Sequence, residues 1–209
     1  MEPAEYSRAL MEFSDDPRAV GYNGPESQNL MFSRFLQLFK FERDQIRVHE
    51  VGCGLCHFKE YLKTRRRVGY SGNDTLLDMV VFSKQKHQRS TIYHGHLKDI
   101  SPFLDADYVV TITTFNESPK EELLDELRVM YAVAKKGIAF DCFSSYVDFN
   151  DEKVTYIDPA EMLTFCLQTF SRYVFLDHSL PNYRYIVFVY KPDFIDSIYP
   201  NKSQYFAKK

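Results

Sequence analysis

Ile46-Arg47-Val48-His49-Glu50-Val51-Gly52-Cys53-Gly54 opens as a short strand rich in β-branched residues, places an acid near its end and stops on two glycines one residue apart. Phe58, Tyr61 and Leu62 follow on one face of a helix. Strand, glycine turn and helix make the opening unit of a parallel α/β sheet. A ligand of such a sheet sits beyond the carboxyl ends of its strands, where glycines admit close backbone approach and the next helix offers free N–H groups. Gly52 and Gly54 are placed for that contact. Asp74, in Gly72-Asn73-Asp74, stands about 20 positions further on, at the end of the next strand, where a carboxylate accepts from both ribose hydroxyls. The spacing suits a nucleoside.

The alternation extends in both directions. Upstream, helices are predicted over 5–13 and 25–40; the second opens on Pro25 and Glu26 and carries Leu30, Met31, Phe35, Leu38 and Phe39 at helical spacing. Gly21-Tyr22-Asn23-Gly24 is the turn between them. Downstream, strands at Val68–Gly72, Thr91–Tyr93, Tyr108–Ile112 and Ile138–Phe143 alternate with helices over Leu76–Lys86 and Lys120–Ala134. After a loop rich in Asp and Asn, Pro159 starts a helix to about Thr169, and strands Tyr173–Leu176 and Ile186–Tyr190 follow. Their connection is too short for a helical crossover, so they should pair antiparallel. The expected fold is α/β: a Rossmann-like, seven-stranded, mostly parallel sheet with an antiparallel final strand, helices on both faces and an N-terminal helical lid. One domain spans 1–209, divided into a helical cap (1–45), the core (46–191) and a surface tail (192–209).

Composition narrows the function classes. The 209 residues are 44% apolar and 26% charged, enough for one substantial core. The 26 basic and 29 acidic residues are mixed along the chain and form no basic stripe to follow a phosphate backbone, so nucleic acid is not an expected partner. Lys63-Thr64-Arg65-Arg66-Arg67 and Lys84-Gln85-Lys86-His87 fall where helices end and complement their dipoles. Met1–Tyr6 lacks the basic start and apolar run of a signal peptide, and no apolar stretch approaches the roughly 20 residues that span a membrane. A cytoplasmic enzyme without a membrane partner is expected. Cys142 and Cys166 lie inside apolar patterns, which reads as reduced thiols rather than a disulfide framework.

Cys53-Gly54-Leu55-Cys56-His57 also spells C-x-x-C-H, the attachment signature of a c-type haem, and its first four residues match a redox dithiol at a strand-to-helix turn. Haem attachment leaves Glu50-Val51-Gly52 unexplained and belongs with an export signal. A dithiol centre leaves Asp74 and the long alternation unexplained. A nicotinamide nucleotide calls for a third glycine beneath its pyrophosphate, where Cys56 and Phe58 stand instead. Small-residue packing around the turn is the expected role of Cys53 and Cys56.

With these residues in view, the chain resembles the class I S-adenosylmethionine (SAM) dependent methyltransferases, whose first motif is an acid followed by G-x-G-x-G, matched by Glu50, Gly52 and Gly54 with Cys56 in place of the last glycine. The resemblance runs from about Val20 to Lys191. More closely, the chain looks like a subgroup of small bacterial methyltransferase-like proteins with a Gly-Tyr turn, a Phe-Asn after the fourth strand and a late Tyr-x-Asp-Pro, here Gly21-Tyr22, Phe115-Asn116 and Tyr156-Ile157-Asp158-Pro159. The subgroup often has Asn in its fifth strand and His-Asp-Tyr before its last; this chain has Asp141 and His178-Ser179-Leu180.

The resemblance implies SAM as cofactor and assigns residues to it. Glu50 would orient the turn or accept from the SAM ammonium, Asp74 would hold the ribose, and His96-Leu97 would flank the adenine. Thr113 and Thr114 would sit near the sulfonium, and Tyr22, Ser27 and Gln28 would form a lid over the methionine end. Tyr22 and Phe115 would turn aromatic faces to the sulfonium, an attraction of ~0.5–2 kcal/mol. Three residues are candidates for the chemistry. His178 follows Asp177, whose carboxylate would raise its basicity; Asp141 lies in a strand pattern where a carboxylate is costly to bury unless paired or facing the site; and Tyr22 is the third. No metal is required. The expected activity is methyl transfer to a small molecule covered by the N-terminal helices and the 144–158 loop. Two alternatives stay open: cyclisation or cleavage of the aminobutyryl arm of SAM, and a SAM-fold protein without catalysis.

Overall fold

The computed structural model describes residues 3–200. The strands are β1 (Ile46–Val51), β2 (Val68–Asp74), β3 (Thr91–His94), β4 (Tyr108–Thr111), β5 (Gly137–Ser144), β6 (Tyr156–Ile157), β7 (Val174–Asp177) and β8 (Arg184–Tyr190). The helices are α1 (Pro3–Phe13), α2 (Pro25–Phe35), α3 (His57–Lys63), α4 (Leu77–Lys86), α5 (Leu97–Ile100), α6 (Lys120–Val133), α7 (Pro159–Thr169) and α8 (Pro192–Ile198). Short 3-10 turns at Pro17–Val20, Leu36–Phe39 and Ser101–Phe103 supplement them.

The sheet runs β3-β2-β1-β4-β5-β8-β7. The first five strands in this order pair in parallel, while β8 is antiparallel to both β5 and β7. Seven strands and an antiparallel end are as the sequence suggests. The eighth, β6, pairs in parallel with β5 inside the loop expected before Pro159; two residues are too few to carry a period-2 signal.

Alternation along the strands divides the core. Ile186, Phe188 and Tyr190 of β8 face one layer with Met31, Phe35 and Leu38 of the α2 segment, Phe58 and Leu62 of α3, and Ile195 of α8. Tyr185, Val187 and Val189 of the same strand face the other, with Leu123, Leu127 and Met130 of α6 and Met162 and Cys166 of α7. Period 2 on the strands meets period 3.6 on the helices, so both faces are covered. Burying each large side chain contributes about 1.5–3 kcal/mol.

Local chemistry sets the boundaries. The Asp158 carboxylate accepts the N–H groups of Ala160 and Glu161, and Pro159 occupies the first helical position, so α7 begins there. α3 and α4 end within the two basic clusters. The segment from Pro192, expected as a surface tail, starts with a helix: Ile195 is buried, and the Phe194 ring packs against Tyr108 and Tyr190. Residues 201–209, the rest of that segment, lie outside the described residues. No described helix is long and apolar enough to cross a membrane.

The chain leaves β1 toward β2 on one side, and β4 lies on β1's other side. This reversal opens a crevice at the carboxyl ends of β1 and β4, the ligand position in open α/β sheets.

Candidate functional site

A cavity of about 690 Å3 lies over that crevice. Its floor is the end of β1 with the glycine turn, one wall comes from the ends of β2 and the β3–α5 connection, and the other from the segment after β4. Pro3 and Tyr6 of α1, Val20, Tyr22, and Gln28 and Phe32 of α2 close the top. The N-terminal cap therefore roofs the site.

Gly52 turns the chain with φ 68°, in the left-handed region. A Cβ there would lie 2.4 Å from Thr114 Cγ2, so the floor and the β4 wall meet with no room for a side chain. Thr114 fastens the contact by donating its hydroxyl to the Val51 carbonyl at 3.2 Å.

Asp74 ends β2 with its side chain turned to the same floor. Oδ2 accepts the Gly54 N–H at 2.8 Å and Oδ1 the Leu76 N–H at 2.9 Å. The Thr75 N–H also approaches the carboxylate, which with about four lone-pair sites still keeps capacity for a ligand hydroxyl. Burial pushes the Asp74 carboxyl above its ordinary range against those N–H bonds. Glu50 is buried at the end of β1 and accepts the Tyr70 hydroxyl; burial raises its carboxyl well above the usual value. Beneath both, His49 is fully buried between Ser71 and Asn73, at 2.8 and 2.9 Å. Asn73 Oδ1 can only accept, so His49 Nε2 carries the proton and Nδ1 receives the Ser71 hydroxyl. Asn73 Nδ2 in turn donates to the Gly95 carbonyl at 2.9 Å, tying β2 to the β3–α5 connection.

Thr113, on the β4 wall, has φ 57°, an unusual conformation for a β-branched residue. Its N–H donates to Asp141 Oδ1 at 2.8 Å, and its hydroxyl donates to Tyr22 Oη at 3.2 Å. Asp141 Oδ2 accepts Arg184 Nε at 2.6 Å in a buried ion pair, and Arg184 Nη2 donates to Asn116 Oδ1 at 2.5 Å. A row from β8 through β5 thus holds the strained turn after β4. Because Thr113 donates to Tyr22, the Tyr22 hydroxyl proton is left for another acceptor; burial drives its pKa up.

Of the residues assigned to the cofactor from the sequence, all but Ser27 line this cavity: Tyr22 and Gln28 in the roof, Glu50, Gly52 and Gly54 in the floor, Asp74, His96 and Leu97 on one wall, Thr113, Thr114 and Phe115 on the other. Four expectations are placed elsewhere. Asp141 stands behind Thr113 rather than in the lining, bound to Arg184 because a carboxylate buried in a strand needs a partner. His178 is exposed, with its ring edge against Tyr185, and does not line the cavity. Its neighbour Asp177 accepts instead from the N–H and hydroxyl of Ser179, at 3.0 and 2.5 Å. Ser27 caps the Gly24 carbonyl at 2.9 Å and is also outside the lining, as is the 144–158 loop. Cys53 and Cys56 are buried with Val80 and Ile92 under the turn.

Sequence reasoning missed Arg184, Tyr70, Asn73 and His57. His57 lines the cavity and accepts from Gln28; its neighbour in the C-x-x-C-H motif drew the reading elsewhere. Arg184 had a signal in hindsight of pairing: a lone arginine beside an apolar strand wants a carboxylate, and Asp141 is the carboxylate in the paired strand.

Comparison with known proteins agrees with this architecture. No family model matches the chain. A protein of Mycobacterium tuberculosis named "Putative methyltransferase Rv1506c" is 24% identical over 165 residues, covering 71% of this chain and 95% of that one. Magnesium protoporphyrin IX methyltransferase (ChlM) from Synechocystis, solved with bound SAH, superposes with a TM-score of 0.63 at 14% identity over 90% of this chain and 93% of its own. DhpI in complex with SAH superposes with a TM-score of 0.65 at 14% identity, over 91% and 93%.

Proposed function

We propose that this chain, which has the class I SAM-dependent methyltransferase fold, binds SAM in the cavity over β1 and β4 and transfers its methyl group to a small-molecule acceptor. The acidic lining carries the reading: Glu50, Asp74, Glu122, Asp125 and Glu126 stand against a single lysine, Lys98, and a cationic ligand would offset the burial that holds the Glu50 and Asp74 carboxyls above their ordinary range. A dinucleotide would bring a doubly negative pyrophosphate into that field. SAM has no phosphate, and its sulfonium and ammonium outweigh its one carboxylate.

The residues present fit such a ligand. Asp74 keeps acceptor capacity for the ribose beyond its backbone N–H bonds, and Gly52 lets the glycine turn pack directly on Thr114 of the opposite wall. His96 and Leu97 would border the adenine, and Glu50, Gln28 and the free Tyr22 proton would receive the amino-acid arm. When bound, the cofactor supplies an activated methyl group on a positively charged sulfur. The chain contributes position and dryness: the Arg184–Asp141–Thr113 row fixes the wall, and α1, Tyr22 and α2 exclude water. The roof and the volume support a small acceptor, since sites for small ligands occupy roughly 300–1,000 Å3.

The test is incubation with SAM alone, followed by mass spectrometry. Intact SAM bound at micromolar affinity, with SAH released when candidate small acceptors are added, supports the proposal. Methylthioadenosine formed without an acceptor, and lost in Asp74→Ala, would replace methyl transfer by cleavage or cyclisation of the aminobutyryl arm. Absence of binding would overturn the cofactor.

A further inference from the structure

Gln28 is a buried amide on α2 that lines the cavity, and its orientation is set from behind. Its Nε2 lies 3.0 Å from His57 Nδ1, and His57 Nε2 lies 3.0 Å from the Asp15 carbonyl and 3.3 Å from Asp15 Oδ1. Both Asp15 atoms can only accept, so His57 Nε2 bears the proton. Nδ1 is then a bare lone pair, and only the NH2 end of Gln28 can face it. The carbonyl Oε1 of Gln28, which accepts from no described residue, is left to the cavity.

We propose that His57, anchored by Asp15, is a positioning residue that locks the Gln28 amide with Oε1 toward the cavity, where it receives the cationic ammonium of the cofactor's amino-acid arm. This rests on the SAM reading above. Protonation of His57 would put a donor on Nδ1 facing the Gln28 NH2; the amide would have to turn over, presenting NH2 to a cation. The groups facing His57 are Asp15 and Asp16 from the loop after α1 and Lys86 from α4, whose Nζ holds Asp15 Oδ2 at 2.5 Å. Burial holds the imidazole below its ordinary pKa, against the pull of Asp15, so His57 is neutral at neutral pH. The lock is closed there and opens on acidification.

The test is calorimetric binding of S-adenosylhomocysteine as pH is lowered from about 7.5 through the His57 midpoint, read by NMR on the same protein. Wild-type affinity should weaken about tenfold across that midpoint, the scale of one hydrogen bond to a charged group. His57→Asn, whose Oδ1 stands where Nδ1 does and can accept from Gln28 but whose NH2 falls short of Asp15, should keep more of the neutral-pH affinity than His57→Leu and lose the pH dependence. His57→Leu should bind about tenfold more weakly at every pH, with unchanged thermal unfolding in Gln28→Ala as a control on folding. Wild-type affinity that is flat through the His57 midpoint, or a pH dependence that persists in His57→Asn, would overturn the positioning role while leaving the cofactor in place. No binding in wild type at any pH would overturn both.

Discussion

Asp74 accepts the backbone N–H of Gly54 at 2.8 Å, so the residue that ends β2 also holds the glycine turn that ends β1. One carboxylate is at once a strut of the floor and, on the proposed function, the group that would meet the ribose. Asp74→Asn keeps one acceptor for the backbone but offers an NH2 in place of the second oxygen. It should fold and lose at least about tenfold in S-adenosylhomocysteine affinity, while Asp74→Ala should also unfold at lower urea concentration. Titration calorimetry with a urea melt separates the two effects.

Gly52 and Thr114 meet so closely that the glycine cannot carry a side chain. Gly52→Ala should cost more than the ~1–2 kcal/mol of the left-handed backbone alone, because its Cβ would lie 2.4 Å from Thr114 Cγ2. Gly52→Ala combined with Thr114→Gly should recover part of the loss, giving a non-additive double-mutant cycle in chemical denaturation. Additive effects would mean that Thr114 yields without cost.

Removing one partner of the Asp141–Arg184 pair leaves a charge stranded inside the sheet. Arg184→Met should destabilise by about 3–5 kcal/mol, and adding Asp141→Asn should restore much of it, since Asn can still accept from the Thr113 N–H. If the pair also holds the cavity wall, Arg184→Met should weaken cofactor binding at temperatures where it remains folded.

Burial lowers the His49 pKa to about 4, against an ordinary 6.5. The folded form binds its proton less readily than the unfolded one, so the stability from neutral His49 is complete above about pH 6.5 and lost as pH falls toward about 4. The gap corresponds to ~3 kcal/mol. Urea melts at several pH values should show that slope in the wild type and a shallower one in His49→Gln; equal slopes would remove His49 as the cause.

His178 stands in the open and touches Tyr185, not the cavity. His178→Ala should therefore leave S-adenosylhomocysteine affinity within about twofold and the melting temperature unchanged. A large loss in calorimetry would bring the β7–β8 connection into the site.

By itself the sequence determined the order of the seven longer strands and of every helix but α5 and α8, the antiparallel end, and the floor of the site at Glu50, Gly52, Gly54 and Asp74. Those features follow from periodicity, loop length and turn chemistry, which act between near neighbours in the chain. Even the start of α7 at Pro159 was legible on that basis. Tertiary structure alone decided what each polar group does. Asp141 looked like a pocket residue until packing brought Arg184, 43 residues away, against it, and His57 looked like part of a cysteine motif until α2 brought Gln28, 29 residues away, to its ring. A buried charge or imidazole must find a partner, but the partner is chosen by which strands and helices the core brings together. That choice is a property of the packed sheet, and no local pattern encodes it.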